Sequence, residues 1–114
     1  MPHFIIDCNE ALFQNLPPQA LLDEVMKVAL ASNLFAPQNI KVRIRPYTYF
    51  VNGSGTTDFL HVFAYIMGGR TLEQRKTLAA QLKDALHQLF PAVQIVSVSI
   101  HEFEKESYAK YLPA

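Results

Sequence analysis

Apolar residues along the chain recur in two spacings, the alternation typical of a strand and the 3.6-residue period of a helix. An apolar run over Pro2–Cys8 predicts a buried first strand. The Leu16-Pro17-Pro18 segment ends extended structure, and apolar residues then recur at helical spacing, which predicts a helix over about residues 18–32. Residues 40–45 alternate strictly between aliphatic and cationic side chains. They predict a half-buried strand with one basic face.

The same order of elements follows a turn cluster at Asn52–Gly55. Residues 59–66 are apolar on both faces, which is typical of a strand covered from both sides. Thr71–Gln74 fits a capping box and predicts the start of a second helix, which Pro91 ends. Residues 93–102 alternate again and predict the last strand.

The two halves resemble each other, because Leu34–Ile40 has an echo in Leu89–Ile95 at an offset of 55 residues. We therefore predict a single α/β domain (α+β in some schemes) over residues 1–114. Its pseudo-repeats cover about residues 2–52 and 56–102, and a tail follows over 103–114. Two βαβ units would share one four-stranded sheet, with both helices on one face. The apolar third strand then needs cover on the other face, and oligomerisation is the simplest source of it.

Charge and composition exclude several classes of function. Ten basic and ten acidic side chains cancel, so the chain has no field of one sign to attract nucleic acid or an anionic membrane. No apolar stretch approaches the roughly 20 residues that span a bilayer. We expect no nucleic-acid or membrane partner and a cytoplasmic location. Cys8 is the single cysteine and lies in an apolar run, which predicts a buried, inert thiol.

Motifs for metal, hydrolytic or nucleotide chemistry are weak. The four histidines lack metal-ligand spacing, so we expect no metal site. Ser54 lacks the strand-to-helix flanks of a nucleophile elbow, and the glycine pairs lack the spacing of a phosphate loop.

Three features together point to a known family. They are Pro2 directly after the initiator methionine, the doubled strand-helix-strand unit, and the run Gly69–Arg75 that opens the second helix. Over nearly its whole length the chain resembles the tautomerase superfamily, and within it the 5-carboxymethyl-2-hydroxymuconate isomerases most. The resemblance implies a homotrimer in which three sheets form a barrel with the helices outside. It also implies cofactor-independent tautomerisation of an unsaturated 2-hydroxy or 2-oxo (di)carboxylate of aromatic-ring degradation.

The resemblance assigns the general base to Pro2. If methionine aminopeptidase removes Met1, Pro2 becomes a free secondary amine at the end of a buried strand. Burial or a nearby cation lowers the pKa of such an amine below its ordinary value of about 7.7 to 8.0. A neutral amine can take up a proton and return it elsewhere. If Met1 is retained, the nitrogen is an amide and this mechanism fails.

Arginine and lysine side chains are the candidates to bind an anionic substrate. Arg70 precedes the second helix, and its planar guanidinium can hold both oxygens of a carboxylate. Lys41, Arg43 and Arg45 share one strand face, and one or two of them are expected to bind substrate, with ion pairs between subunits or solvated charges as the alternative. The isomerase pattern has an arginine where this chain has Lys41, and lysine offers only a point charge.

Two other interpretations stay open. A binding protein on the same scaffold, like the macrophage migration inhibitory factor branch, would keep Pro2 and act by contacting a receptor. A diverged member would keep the trimer without the substrate cations. Turnover of an enol acid by the processed chain distinguishes the enzyme from both.

Overall fold

The computed structural model describes residues 1–113, which form one four-stranded sheet and two long helices. The strands are β1 (His3–Asn9), β2 (Lys41–Tyr47), β3 (Leu60–Met67) and β4 (Val96–Phe103). The helices are α1 (Pro18–Ala31) and α2 (Leu72–Leu89). Short 3₁₀ turns follow β1, precede β2 and follow β4. The predicted elements are therefore all present, with boundaries shifted by up to three residues.

The sheet order is β2-β1-β3-β4. β1 and β2 run parallel, β3 and β4 run parallel, and the two pairs meet in an antiparallel seam between β1 and β3. Each half of the chain therefore supplies one strand-helix-strand unit, as the sequence predicted. The start of β1 lies at the same sheet edge as the ends of β3 and β4.

The core lies between the sheet and the helices. Alternate strand residues such as Phe4, Ile6 and Val62 are fully buried and pack against apolar residues of both helices, including Val25 of α1 and Leu82 of α2. Because all of them lie on one side of the pleat, both helices cover the same sheet face. This arrangement confirms the predicted architecture.

The opposite sheet face, called here the open face, carries the other alternate residues and is covered by neither helix; within residues 1–113 the tail reaches it only at one end, where Tyr108 packs on Phe103 and His3. On this face, β3 and β4 expose part of an aromatic and histidine surface formed by His61, Phe63, Tyr65 and His101. Phe63 and Tyr65 stack with ring centroids 6.3 Å apart, and Tyr65 stacks on His101 at 5.0 Å. An aromatic surface of this kind is typical of an interface with another protein surface.

The start of α2 is fixed by the predicted capping box. The Gln74 amide donates to the Thr71 hydroxyl at 3.1 Å, and the Thr71 amide donates to the Gln74 side-chain oxygen at 2.9 Å. Gly69, two residues earlier, adopts a positive φ of 118° that other residues rarely accept. The turn between β3 and α2 is therefore well defined, and it determines where Arg70 lies.

Candidate active site

Pro2 is buried at the edge where β1 begins. The backbone amide of Lys41 donates to the Pro2 carbonyl at 3.1 Å and extends the parallel pairing of β1 and β2 by one bond. Met1 precedes Pro2 in the structure, so the proline nitrogen is part of a peptide bond there. The backbone at Pro2 is therefore held rigidly, and its nitrogen becomes an amine only when Met1 is removed.

The terminal amine at this edge lies among cations. Partial burial lowers the pKa of the Met1 amine below its ordinary value, and the charges of Lys110, Arg70 and Lys41 lower it further. The same edge would surround an amine on Pro2, one residue further along. The environment therefore shifts the balance of an amine at this position toward its neutral form.

Arg70 is held by backbone carbonyls. Its two terminal nitrogens donate to the carbonyl of Leu34 at 2.6 Å and to that of Met67 at 3.3 Å. Its guanidinium carbon lies 5.1 Å from the centre of the Phe35 ring. A guanidinium has five N–H donors, so these contacts leave others free to meet a substrate. The role of Arg70 in binding stays a prediction, and its contacts show that it also joins the two halves of the chain.

Lys41, Arg43 and Arg45 share the open face, as the alternation predicted. The Arg45 side chain donates to the Asp7 carboxylate at 2.6 Å, and a terminal nitrogen of Arg43 lies 3.2 Å from His3 Nδ1. Four residues along a strand cover about 13 Å, so Arg45 lies far from Pro2. Lys41 and Arg43 are therefore the members of this set nearest to Pro2.

His3 connects this face to the tail, a role that the sequence did not reveal. Arginine can only donate, so His3 Nδ1 accepts from Arg43 and Nε2 carries the proton. Nε2 lies 3.1 Å from the Tyr108 hydroxyl, to which it can donate. Burial, Arg43 and Lys41 all lower the pKa of His3, which agrees with a neutral ring.

Lys110 is the other residue that sequence reasoning missed. Its ammonium lies 2.7 Å from Met1 Sδ and 3.3 Å from Asn39 Oδ1, although 109 positions separate it from Met1. No periodic pattern marks the segment from Lys105 onward. The available signal was Tyr108, an aromatic residue in a polar tail that anchors this segment on the sheet.

Other predicted features lie away from this edge. Cys8 is fully buried in the core, as predicted, and burial followed by the charge of Asp7 raises its pKa to about 12. A groove of about 560 Å³ lies at the opposite end of β1, where Leu12, Asp58 and Phe90 are among its lining residues.

Within residues 1–113, no three His, Cys, Asp or Glu side chains are grouped closely enough to hold a metal ion. Neither helix there is long and apolar enough to cross a membrane.

Comparisons of the sequence with a family model and with a known protein point to the same family. The family model described as 5-carboxymethyl-2-hydroxymuconate isomerase matches residues 2–111. The 5-carboxymethyl-2-hydroxymuconate Delta-isomerase of Escherichia coli is 25% identical over 108 residues, which cover 93% of this chain and 86% of that protein.

Two solved structures show the same fold. A 5-carboxymethyl-2-hydroxymuconate isomerase from Deinococcus radiodurans R1 superposes with a TM-score of 0.85 and 23% identity, over 96% of this chain and 88% of its own. A fused 4-OT, described as a symmetric trimer, has a TM-score of 0.80 and 17% identity, over 95% and 90% of the two chains.

Proposed function

This chain belongs to the 5-carboxymethyl-2-hydroxymuconate isomerase family, and from that premise we propose that Pro2 is its general base and acid once Met1 has been removed. The substrate would be an unsaturated 2-hydroxy acid with at least two carboxylates, of the 5-carboxymethyl-2-hydroxymuconate type. The observation that carries the proposal is the cationic surroundings of the terminal amine at the start of β1. Partial burial and these cations favour the neutral form of an amine, and the cations also attract an anion.

The proposed reaction moves one proton. The neutral Pro2 amine accepts the proton of the 2-hydroxyl group as the C2–O bond becomes a carbonyl, and the conjugated double bonds shift along the chain. The resulting ammonium then donates that proton to a carbon of the displaced double bond. Proton and electron counts are unchanged, so the step requires no oxidant or reductant.

Nearby cations would stabilise the anions of this reaction. The substrate carries carboxylates, and negative charge spreads onto the C2 oxygen while the proton is on Pro2. Lys41, Arg43 and the free N–H groups of Arg70 are the proposed substrate-binding donors. Lys41 can provide charge without the bidentate geometry of an arginine, which favours a substrate anion that is held at a single oxygen.

A homotrimer would complete this site. The open face of the sheet carries aromatic side chains that residues 1–113 leave partly exposed, and the fused 4-OT neighbour of the same fold is a symmetric trimer. Three sheets that meet through their open faces would bury this surface. The edge of the sheet with Pro2 would then lie at the mouth of the assembly.

Processing and turnover together test the function. Intact mass spectrometry identifies chains that begin at Pro2, and ultraviolet absorbance follows the isomerisation of 2-hydroxymuconate. We expect turnover by the processed chain and a loss of about 100-fold or more in kcat for Pro2→Ala, because a positioned acid-base group typically contributes about 10²–10⁴-fold. The acid limb of kcat/KM should have its midpoint below the ordinary amine range of about 7.7 to 8.0.

A chain that retains Met1 is the matched control, because it keeps every side chain and blocks only the amine. It should fold and assemble like the processed chain and fail to turn over substrate. Full turnover by Pro2→Ala, or by the Met1-retaining chain, would exclude Pro2 as the base. A processed trimer that isomerises no enol acid would instead favour the binding-protein or diverged interpretation.

A further inference from the structure

The tail that follows β4 is packed against the edge of the sheet that carries Pro2. Tyr108 stacks on Phe103, the last residue of β4, with ring centroids 4.6 Å apart and planes at 18°. Its hydroxyl lies 3.1 Å from His3 Nε2. The amide of Tyr108 also donates to the Lys105 carbonyl, which closes the 3₁₀ turn before it. The tail is therefore anchored by an aromatic contact and a side-chain hydrogen bond two residues before Lys110.

Lys110 extends from this anchor to the start of the chain. Its ammonium contacts Met1 Sδ and Asn39 Oδ1 and, among residues 1–113, lies within ion-pair distance of no carboxylate. A thioether and an amide oxygen are weak partners for a charge. The thioether is also the partner that disappears when Met1 is removed. Among residues 1–113, the processed chain would thus leave this ammonium with Asn39 Oδ1 as its hydrogen-bond partner.

Other nearby cations also lack a carboxylate partner. Of the residues that the structure describes, none gives Lys41 or Arg70 an ion pair, although both contribute to the positive potential at the terminal amine. Elsewhere on the same face Arg45 is paired with Asp7. Lys110, Lys41 and Arg70 all act on the same terminal amine, so their charges repel one another there, and an anion bound among them relieves that repulsion.

We propose that Lys110, which the Tyr108-anchored tail positions, binds one of the carboxylates of the substrate beside Pro2. This inference rests on the proposed function for the identity of the substrate, but not for its test. Lys110 would be a binding and specificity-determining residue, since its charge favours substrates with a second carboxylate over monocarboxylates. Its weak present contacts leave all three of its N–H donors able to turn toward that anion.

Binding of an unreactive dicarboxylate tests the proposal without any turnover. cis,cis-Muconate lacks the 2-hydroxyl group and cannot tautomerise, so its dissociation constant can be measured by titration calorimetry on the processed chain. We expect Lys110→Ala to weaken this binding about 10- to 100-fold, the effect of losing a charged hydrogen bond. Lys110→Arg should retain most of the affinity, because it keeps the charge. Lys105→Ala removes a lysine from the same tail and should bind like wild type.

Two kinetic readouts separate a binding role from a merely structural one. Lys110→Ala should raise KM for 2-hydroxymuconate more than it lowers kcat. It should also move the acid limb of kcat/KM to higher pH, because a cation that lowers the pKa of the amine is lost. Circular dichroism and the oligomeric state of the variant should match those of the wild type.

The outcomes distinguish this proposal from the function on which it rests. Wild-type affinity of Lys110→Ala for muconate, or an equal loss in Lys105→Ala, would overturn the role of Lys110, as would a processed wild-type chain that binds no muconate. Retained turnover in Pro2→Ala together with Lys110-dependent muconate binding would instead remove the proline base and leave the carboxylate site.

Discussion

At the scale of single residues, the environment of Pro2 matters more than its identity. Methionine followed by proline is a common start for a chain, and the dipeptide carries little information by itself. The edge of the sheet supplies what is specific, a buried backbone and cations that lower the pKa of an amine at the start of β1. The chemistry proposed for this residue therefore depends on its surroundings.

Arg70 leads to a prediction with two parts. It bonds the carbonyls of Leu34 and Met67, so its removal leaves two carbonyls without their partner. We expect Arg70→Ala to lower the free energy of unfolding by about 1–3 kcal/mol in urea titrations, because two partly buried hydrogen bonds are lost. If Arg70 also binds substrate, KM should rise in the folded variant.

Arg70→Lys provides the control for this prediction. It keeps the positive charge near Pro2, but lysine lacks the planar guanidinium with which Arg70 donates to two carbonyls at once. A loss of stability with unchanged KM would assign Arg70 to structure alone. Wild-type stability in both variants would contradict the contacts described here.

Some residues of the candidate site could be predicted from the sequence, and others could not. Arg70, Lys41 and Arg43 could be selected because each lies in a local pattern, and Pro2 was selected through the family resemblance. Lys110 could not, since its position depends on a contact across 109 positions of chain and on the docking of Tyr108. The pairing of Arg45 with Asp7 was hidden for the same reason, because it requires the register between β1 and β2.

At the scale of elements, local sequence patterns predicted structure well where a local interaction determines it. The capping box at Thr71 is such an interaction, because both of its hydrogen bonds join residues three positions apart. The start of β4 was predicted three residues early. Val93 is buried in the core, but its amide bonds the Phe90 carbonyl in a turn, so its apolar character reflects burial without strand pairing.

The cap provides a prediction for α2. Thr71→Ala removes the oxygen that accepts the Gln74 amide, and we expect a loss of about 1 kcal/mol in the free energy of unfolding. Thr71→Ser keeps the hydroxyl and should restore most of it. The measurement is urea denaturation of both variants at one protein concentration. Equal stability of Thr71→Ala and wild type would show that the cap does not stabilise α2.

At the scale of the whole molecule, the two faces of the sheet differ in how far they are buried. The helix-facing residues of the central strands β1 and β3 are buried within a single chain, whereas the open face keeps aromatic and histidine side chains partly exposed. Sequence alternation revealed both faces, including the need for cover on the second. It could not reveal the hydrogen bonds of His61 to Ser97 and Ser99, at 2.6 and 2.9 Å, because these cross from β3 to β4.

His3 and His61 should make the stability of the fold depend on pH. Burial lowers the pKa values of His3 and His61, so between their folded values and about 6.5 the unfolded chain binds more protons than the folded chain. The contribution of these histidines to the free energy of unfolding should therefore be at its maximum above about pH 7. It should be lost as the pH drops through their pKa values in the folded chain. Urea titrations from pH 8 to pH 5 at fixed protein concentration measure this slope.

Single histidine variants identify the source of that slope. His61→Gln should reduce it, whereas His87→Gln, on the exposed side of α2, should leave it unchanged. A slope that is the same in all three proteins would contradict the assignment to His61.

The antiparallel seam between β1 and β3 has a consequence for how the chain can be divided. Each side of the seam is a complete parallel strand pair with its own helix, and the two are joined through the turn at Asn52–Gly55. If the polypeptide is cut at that turn, each fragment keeps one complete strand-helix-strand unit. The exposed backbone of β1 in one fragment can then pair with that of β3 in the other. Two such fragments, expressed together, should reassociate, which would make this small domain a natural scaffold for a split reporter.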